Sequence, residues 1–333
     1  MFLFGISGRA GGFDPLILLL MALVIETYAG RLSFLTRLTG HPVQALENLI
    51  LWFDRKLNRD TRSQMDRAVR GGLMALVVIA VSFAIGWGIS WLSQMLPFAW
   101  IFETILLIML ISQRGVYSAV RKIGVALRDQ GLEAARESLS PLINEAPENM
   151  DAHGVARAGI EISCIALTTR VVAPVFWYLL FGFPGILTYQ AVMTMNDLLG
   201  HKTDRHRAFG FTAARLNDIL LLIPAQLSGL FMVLASLFVP TAHPGKAFST
   251  MLKDARKYRS YNLGVTLAAL AGAFDLALAG PRKFTQETKN EHWLGSGTAK
   301  ATHQDIKRSL YMFATACLIN GVWVAALTIV RYT

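Results

Sequence analysis

The sequence predicts an all-α polytopic membrane protein, with about five to seven membrane helices, re-entrant segments among them. Hydrophobic residues make up 53% of the 333 residues, and the mean hydropathy is +0.43, above the range usual for soluble domains. Uncharged runs such as residues 71–102 and 219–242 are long enough to cross a bilayer core of about 30 Å. Few segments alternate polar and apolar residues, so helices rather than a barrel are expected to satisfy the backbone in lipid.

The basic residues are scattered between the apolar runs. The formal net charge is +10, from 32 Lys and Arg against 22 Asp and Glu. This distribution predicts membrane loops that face an anionic cytoplasmic leaflet, and it argues against a nucleic-acid partner, which would require a basic stripe. We expect a single integral-membrane domain over residues 1–333. Its expected cytoplasmic segments are residues 31–70, 114–160, 200–218 and 281–309.

The first span is predicted over residues 14–34. Glu26 lies near its end and is either a functional acid at membrane depth or a carboxylate that reaches the interface. The following basic segment contains an amphipathic helix, which lies on the membrane or against another cytoplasmic helix. Its apolar face is formed by Leu46, Leu49, Ile50, Phe53 and Leu57.

Two further spans are predicted over residues 72–93 and 97–113, joined by a turn near Pro97. Apolar spacing then predicts two cytoplasmic helices separated at Gly131. The next connector carries Glu145, Glu148 and Asp151. These acids form either a solvated loop or a displaced metal site.

The sequence Phe183-Pro184-Gly185 divides the next apolar region into a span over residues 160–182 and a broken piece over residues 185–199. Arg170 lies between apolar flanks, so we expect it to reach an interface or to pair with Glu161 or Asp197. Cys164 lies in the same region, and it and Cys317 are interpreted as packing residues.

The topology of residues 219–280 has two solutions. If residues 219–242 cross fully, the basic stretch that follows faces outward, against the positive-inside rule. Either this run is re-entrant, or residues 265–280 add a further membrane element. A polar loop over residues 282–308 and a last span over residues 310–330 complete the prediction.

Spaced motifs over most of the chain resemble the CobD/CbiB family, polytopic membrane proteins of cobalamin biosynthesis. The family pattern reads roughly R-A-x-x-E, E-N-x-x-D-G-x-x-A-P, Y-x-x-x-N-T-x-D-x-x-x-G and F-G-x-x-x-A-R-x-D-D. Further matches are Gly40-His41-Pro42-Val43, the stretch from Ser260 to Gly264, and Gly280-Pro281. The residues of the central pattern that this chain keeps are Arg157, Ala158, Glu161, Ala173, Pro174, Tyr189, Gly200, Phe209, Gly210, Ala214, Arg215 and Asp218.

The chain departs from the pattern where the family carries acids. E-N-x-x-D-G is replaced by the six residues from Ile165 to Arg170, and N-T-x-D by Met193 to Asn196. G-R-D-T is replaced by Asn144-Glu145-Ala146-Pro147, and the acid that ends S-P-N-A-G-x-x-E by Leu267. The resemblance implies a reaction in which ATP and Mg²⁺ activate adenosylcobyric acid for amide formation with an aminopropanol phosphate. Aliphatic side chains cannot replace oxygen ligands of Mg²⁺.

Three functions remain open at this stage. The leading hypothesis is a catalytically impaired relative, a pseudoenzyme that serves as an accessory, assembly or regulatory subunit and has no certain cofactor. The alternative is an active adenosylcobinamide-phosphate synthase that uses Mg²⁺ and ATP, with Glu145 or Asp151 on the metal. A small transporter or channel would instead use Glu26, Glu103, Arg170 and Asp197 as intramembrane charges.

The resemblance also implies the candidate site residues and partners. The catalytic candidates, should the chain be active, are Glu161, Arg215 and Asp218. The substrate-binding candidates are His41, Arg157, Asn196, Asn262 and Lys202; no metal ligand is assigned. The expected partners are the lipid bilayer, a membrane protein or a second copy of the chain, and a corrinoid if the chain is active.

Overall fold

The computed structural model describes residues 13–30, 42–143, 146–201, 203–283, 288–289 and 291–333. Nearly all of its regular structure is helical. The helices are α1 Pro15–Ala29, α2 Pro42–Leu57, α3 Gln64–Met95, α4 Ala99–Leu110, α5 Arg114–Asp129, α6 Leu132–Leu139, α7 Ala152–Ala166, α8 Ala173–Leu199, α9 Phe211–Ser236, α10 Pro244–Asp254, α11 Tyr261–Ala273 and α12 His303–Tyr332. A π-helical segment, Leu167–Val172, joins α7 to α8.

Four two-residue strands follow α11. They are β1 Leu278–Ala279, β2 Arg282–Lys283, β3 Thr288–Lys289 and β4 Trp293–Leu294. β1 pairs with β4 and β2 with β3, both antiparallel. The prediction of a polar loop over residues 282–308 was therefore wrong in part, because β2, β3 and β4 lie within it and α12 begins at His303. Strands of two residues are too short to show a period-2 pattern.

Among the described residues, five helical stretches are long and apolar enough to cross a membrane: residues 64–95, 99–129, 152–199, 211–236 and 303–332. The helices α1 and α11 are apolar but shorter. These observations confirm an all-α polytopic membrane protein. α11 has only 13 residues, about 20 Å of helix, which is less than a bilayer core requires.

The contacts divide the chain into two compact units. Unit 1 contains residues up to Ser112, Ala173–Leu221 and Val324–Thr333, and unit 2 contains Gln113–Val172 and Leu222–Trp323. The expectation of one integral-membrane domain stays a prediction.

In unit 1, α3 packs along α8, and α2 packs against both. The shared core is formed by Ile50 of α2, Met74, Ala75 and Val78 of α3, Ala191, Val192, Met195 and Leu199 of α8, and Phe209 and Ala213. Gly86 of α3 approaches the backbone of Pro184 so closely that a Cβ would lie 2.7 Å from its Cα. Leu49, predicted on the apolar face of α2, is 36% exposed, whereas Ile50 of the same face is fully buried.

In unit 2, α5 packs on α6 and α7, and α10 packs along α11. Each of the two helices predicted on either side of Gly131 buries apolar residues, with Ile123 of α5 and Leu139 of α6 fully inaccessible. The break at Gly131 is confirmed, with φ +94°. Gly272 allows α11 to approach α10, because a Cβ there would lie 2.5 Å from the carbonyl oxygen of Lys246. Gly272 thus serves a helix contact within the chain.

The predicted interruption of residues 160–199 is confirmed and lies at Gly182, with φ +66° and ψ −152° inside α8. Upstream, the helix begins at Ala152 rather than near residue 160. The turn between the second and third spans is also confirmed, with Phe98 in the left-handed region. Arg170 is exposed, which agrees with the first of the two outcomes that the sequence left open for it.

Candidate functional site

Two of the motif residues, Arg157 and Glu161, lie one helical turn apart on α7 in unit 2. Glu161 is 3% exposed, and its Oε1 accepts a hydrogen bond from the backbone N–H of Ala279 at 2.8 Å. The guanidinium of Arg157 donates to the carbonyl oxygen of Ala299 and lies 5.5 Å from the centre of the Trp293 ring. Ala279 and Trp293 are register partners in the β1–β4 pair. The two charged residues thus hold this small sheet against α7.

Gly280 belongs to the same arrangement. It has φ +80°, and a Cβ at this position would lie 2.6 Å from atoms of the Trp293 ring. Only glycine tolerates both the backbone conformation and the approach of the ring. The Gly280-Pro281 match therefore has a structural reason, because it seats the indole on which Arg157 stacks.

The segments of unit 2 in which this chain has lost acids of the pattern, around Thr169 and Leu267, form a neutral, packed region. The hydroxyl oxygens of Thr168 and Thr266 are hydrogen-bonded at 3.2 Å, and both side chains are fully buried. Thr169, at the aspartate position of E-N-x-x-D-G, donates to the carbonyl of Ile165 at 3.0 Å. Leu267, at the glutamate position of S-P-N-A-G-x-x-E, is fully buried.

These residues do not fit the magnesium–nucleotide site that the resemblance implies. Mg²⁺ is held by one or two carboxylates together with substrate phosphates. The carboxylate of Glu161 is retained but accepts a backbone N–H, and the acids of E-N-x-x-D-G and S-P-N-A-G-x-x-E are replaced by the neutral residues Ile165, Thr169 and Leu267. Within the described ranges, no group of three His, Cys, Asp or Glu side chains is placed to hold a metal. Asn262, on α11, is 5% exposed.

Three other candidates lie in unit 1. Arg215 and Asp218 form an exposed ion pair of 3.5 Å on α9, and Arg215 also covers the ring of Phe211 at 5.3 Å. Asn196 of α8 packs against Gly200, where a Cβ would lie 2.5 Å from its amide oxygen. Exposed ion pairs of this kind contribute about 0–1 kcal/mol. The structure therefore groups the candidates into two sets, one in each unit.

Asn217 was missed by the sequence argument. It is 8% exposed, and its Oδ1 accepts no hydrogen bond from the described residues. It stands at the first acid of F-G-x-x-x-A-R-x-D-D, so counting along the pattern would have identified it. Its amide is a further neutral group at an acidic position.

A buried polar network in unit 1 was also missed. Asp54 lies 3.0 Å from the Arg205 guanidinium and 3.7 Å from Nε2 of His206. Asn58 donates to Asp54 at 2.7 Å, and Arg67 donates to Asn58 at 2.7 Å and to the carbonyl of Arg205. Asp54 of α2, Asn58 of the following loop and Arg67 of α3 are each at most 5% exposed. The network fixes the loop over residues 203–210 against α2 and α3.

Positive charge is concentrated beside this network. The pKa of the Arg62 guanidinium is lowered, first by desolvation and then by the charges of Arg70 and Arg59. Arg62 also donates to the carbonyl of Leu57 at 2.9 Å. A crowded basic segment next to the start of α3 agrees with the positive-inside pattern.

The comparisons with known proteins identify the family. The model of the family described as CobD/Cbib protein matches residues 19–313. The chain belongs to the CobD/Cbib family. It is 36% identical over 318 residues to a protein of Brucella melitensis named cobalamin biosynthesis protein CobD, covering 93% of this chain and 96% of that one. A protein of Rhodobacter capsulatus with the same name is 34% identical over 303 residues, covering 90% of this chain and 93% of that one. No solved structure matches the chain.

The remaining candidate residues of this CobD/Cbib chain either lie outside the described residues or have a structural role. His41, Lys202 and Glu145 lie outside the described residues. Asp151 caps α7 by accepting a hydrogen bond from the N–H of Gly154 at 2.7 Å, which explains this acid without a metal. Glu148 lies in the preceding turn.

The two intramembrane acids of the CobD/Cbib chain are both buried. Glu26 is fully inaccessible and Glu103 is 3% exposed, so Glu26 does not extend to solvent. Glu103 accepts a hydrogen bond from the hydroxyl of Tyr178 at 2.9 Å. A buried acid with such a partner is expected to hold helices together.

Proposed function

We infer that this chain is a multi-pass protein of the bacterial inner membrane that serves cobalamin biosynthesis without catalysing the family's amide-forming step. In this view it is an accessory, assembly or regulatory subunit. Coverage of more than nine-tenths of relatives named for cobalamin biosynthesis supports the pathway. The bacterial source of these relatives supports the inner membrane.

The hydrogen bond between Thr168 and Thr266 carries the non-catalytic part of the proposal. It lies where two motifs that bear acids in the family meet in the core of unit 2. A magnesium–nucleotide pair brings several charges, and burial of charge requires matching charged or coordinating groups. A threonine pair beside Leu267 supplies neither. Packing around neutral groups accounts for the loss of the acids without loss of the fold.

Complementation tests this proposal. A bacterial strain that lacks its own CobD protein is supplied either with that CobD or with this chain, and cobalamin is measured. We expect no restoration by this chain, although membrane fractions contain it at a comparable level. Restoration to more than about a tenth of the CobD control would overturn the non-catalytic assignment.

An accessory role in cobalamin biosynthesis is tested by deleting the gene for this chain. In the native host, deletion of this chain alone is expected to lower cobalamin yield or to change the amount of another membrane protein of the pathway. Re-expression from a plasmid is the control. Unchanged cobalamin and unchanged levels of the pathway's membrane proteins would contradict a role in this pathway.

An active synthase is the second candidate, and one observation favours it. Arg157 and Glu161 keep their motif positions and are held together at the β1–β4 pair. An active enzyme would bind Mg-ATP and corrinoid, and Glu161→Gln would reduce turnover without reducing the amount of folded protein. Purified chain that binds neither ligand would exclude this candidate.

A further inference from the structure

The loop over residues 203–210 in unit 1 presents its side chains in two directions. Arg205 and His206 point into the network around Asp54. Asp204 and Arg207 line a groove of about 500 Å³ at the start of α3. The N–H of Arg207 donates to the carbonyl of Thr203 at 2.8 Å, so the loop forms a helical turn. Residues at i and i+3 of such a turn lie on one side.

The two charges in the groove are not used by the fold. Within the described residues, the side chains of Asp204 and Arg207 form no hydrogen bond or ion pair, whereas Arg205 and His206 both contact Asp54. The network therefore fixes the backbone that carries a carboxylate and a guanidinium, and leaves both available. A site with one positive and one negative group is complementary to a zwitterion.

The remainder of the groove is largely apolar. It is lined by Met65, Ala68 and Phe211, with Gln64 at its polar edge. Met65 is 75% exposed and Phe211 is 54% exposed. Large exposed apolar groups beside two available charges are unusual on a surface that faces only water. They suit a ligand with an apolar part and a charged part.

The position of the groove along α3 matches the headgroup layer. The uncharged run of α3 begins at Gly71, which touches the backbone of Phe209, where a Cβ would lie 2.0 Å from the carbonyl oxygen. Ala68 and Met65 precede Gly71 by about 4.5 and 9 Å along the helix, at 1.5 Å per residue. The headgroup layer on each side of a bilayer is about 5–7 Å thick. The groove thus begins at the edge of the hydrocarbon and extends through the headgroups.

We propose that this groove binds the headgroup of phosphatidylethanolamine. Arg207 binds the phosphate, Asp204 accepts hydrogen bonds from the primary ammonium, and the lipid's apolar part covers Met65 and Phe211. The shared chemistry is a phosphate ester that carries a primary amine. The apolar lining and the position at the hydrocarbon edge assign it to a lipid rather than to a soluble amino-phosphate.

Native mass spectrometry of the delipidated full-length protein tests the proposal. The protein is titrated with phosphatidylethanolamine, phosphatidylcholine and phosphatidylglycerol that carry the same acyl chains. We expect phosphatidylethanolamine to bind about tenfold more tightly than phosphatidylcholine, whose methylated amine donates no hydrogen bond. Asp204→Asn is expected to remove this preference. Arg207→Gln is expected to weaken all three lipids by about tenfold, since all carry the phosphate.

Arg59→Gln and Asp66→Asn are the matched controls, because both residues are exposed in unit 1 and lie outside the groove. Neither is expected to change the order of the lipids. All four substitutions are at exposed positions, and thermal unfolding checks that each variant is folded. Equal affinities for the three lipids, or tightest binding of phosphatidylglycerol, would overturn the proposal. Displacement of the lipid by free phosphoethanolamine at equal concentration would overturn the lipid assignment.

Discussion

The carboxylate of Asp54 and the guanidinium of Arg205 lie 3.0 Å apart, although 151 residues separate them in the chain. Asp54 is almost fully buried, whereas the Arg205 side chain is 46% exposed. The pair is therefore asymmetric. Removal of the acid takes the carboxylate away from Asn58, Arg205 and His206, although Asn58 still donates to the carbonyl of Arg205 at 3.1 Å. Removal of the base leaves a buried carboxylate that still accepts a hydrogen bond from Asn58.

Asp54→Ala is expected to lower the free energy of unfolding by about 1–3 kcal/mol. Arg205→Ala is expected to cost less, because its guanidinium is already partly hydrated. Titration of the purified protein with sodium dodecyl sulfate in mixed micelles measures both. The double variant gives the coupling energy.

Asp60→Ala is the matched control for Asp54. Asp60 also approaches a guanidinium, that of Arg67, but at 3.9 Å and with its side chain 79% exposed. The change in unfolding free energy is expected to stay within about 0.5 kcal/mol. Equal losses of unfolding free energy for Asp54→Ala and Asp60→Ala would show that burial of the network around Asp54 does not add to stability.

Glycines on α3 provide a second prediction with an internal control. A Cβ at Gly71 would lie 2.0 Å from the carbonyl oxygen of Phe209, and one at Gly86 2.7 Å from the Cα of Pro184. A Cβ at Gly88 would meet no atom of another described residue within 4 Å. Gly71→Ala and Gly86→Ala should each destabilise the protein by about 1–3 kcal/mol, since the backbone must move. Gly88→Ala should be neutral or stabilise by up to about 1 kcal/mol. Similar changes in unfolding free energy for all three substitutions would contradict the close backbone contacts at Gly71 and Gly86.

Glu161 provides a third prediction, which separates a structural role from a chemical one. Its carboxylate accepts the buried N–H of Ala279, so Glu161→Ala leaves that donor unsatisfied and should cost about 1–3 kcal/mol. Glu161→Gln keeps a carbonyl oxygen at the same place and should cost less than half as much. Unfolding in mixed micelles again provides the measurement. Equal destabilisation by both substitutions would mean that the negative charge, rather than the acceptor, is what the structure requires.

Much of the architecture could be predicted from the sequence, because hydrophobic run length and helical spacing are local signals. The buried face of α5 and the breaks at Gly131 and near Pro97 follow from residues close together in the chain. Leu49 shows the limit of that reasoning. Its spacing places it on the apolar face of α2. Which residues of that face become buried depends on the side from which α8 packs, and this is not a local property of the sequence.

The candidate site was less predictable, because it depends on pairings between distant residues. In the sequence, Asp54 and Arg205 are single charged residues in two separate basic segments. No local sequence pattern indicates that they form a pair. The contact of Thr168 with Thr266 spans 98 residues. The sequence showed that acids had been lost at both motifs. Only the structure shows that the threonines next to two of the lost acids, Thr168 and Thr266, are hydrogen-bonded to each other.

The stacking of Arg157 on Trp293 gives the last prediction. Arg157 donates to the carbonyl of Ala299 and covers the indole, and a planar guanidinium can do both at once while an ammonium cannot. Arg157→Lys should therefore destabilise unit 2 although the charge is kept, by about 1 kcal/mol. In a double-mutant cycle with Trp293→Leu, the coupling energy should be about 0.5–1 kcal/mol. Lys307→Arg, on α12, is the matched control and should change stability by less than about 0.5 kcal/mol. Strict additivity of Arg157→Lys and Trp293→Leu would mean that the ring only fills space above Gly280, and that the β1–β4 pair is held to α7 by Glu161 alone.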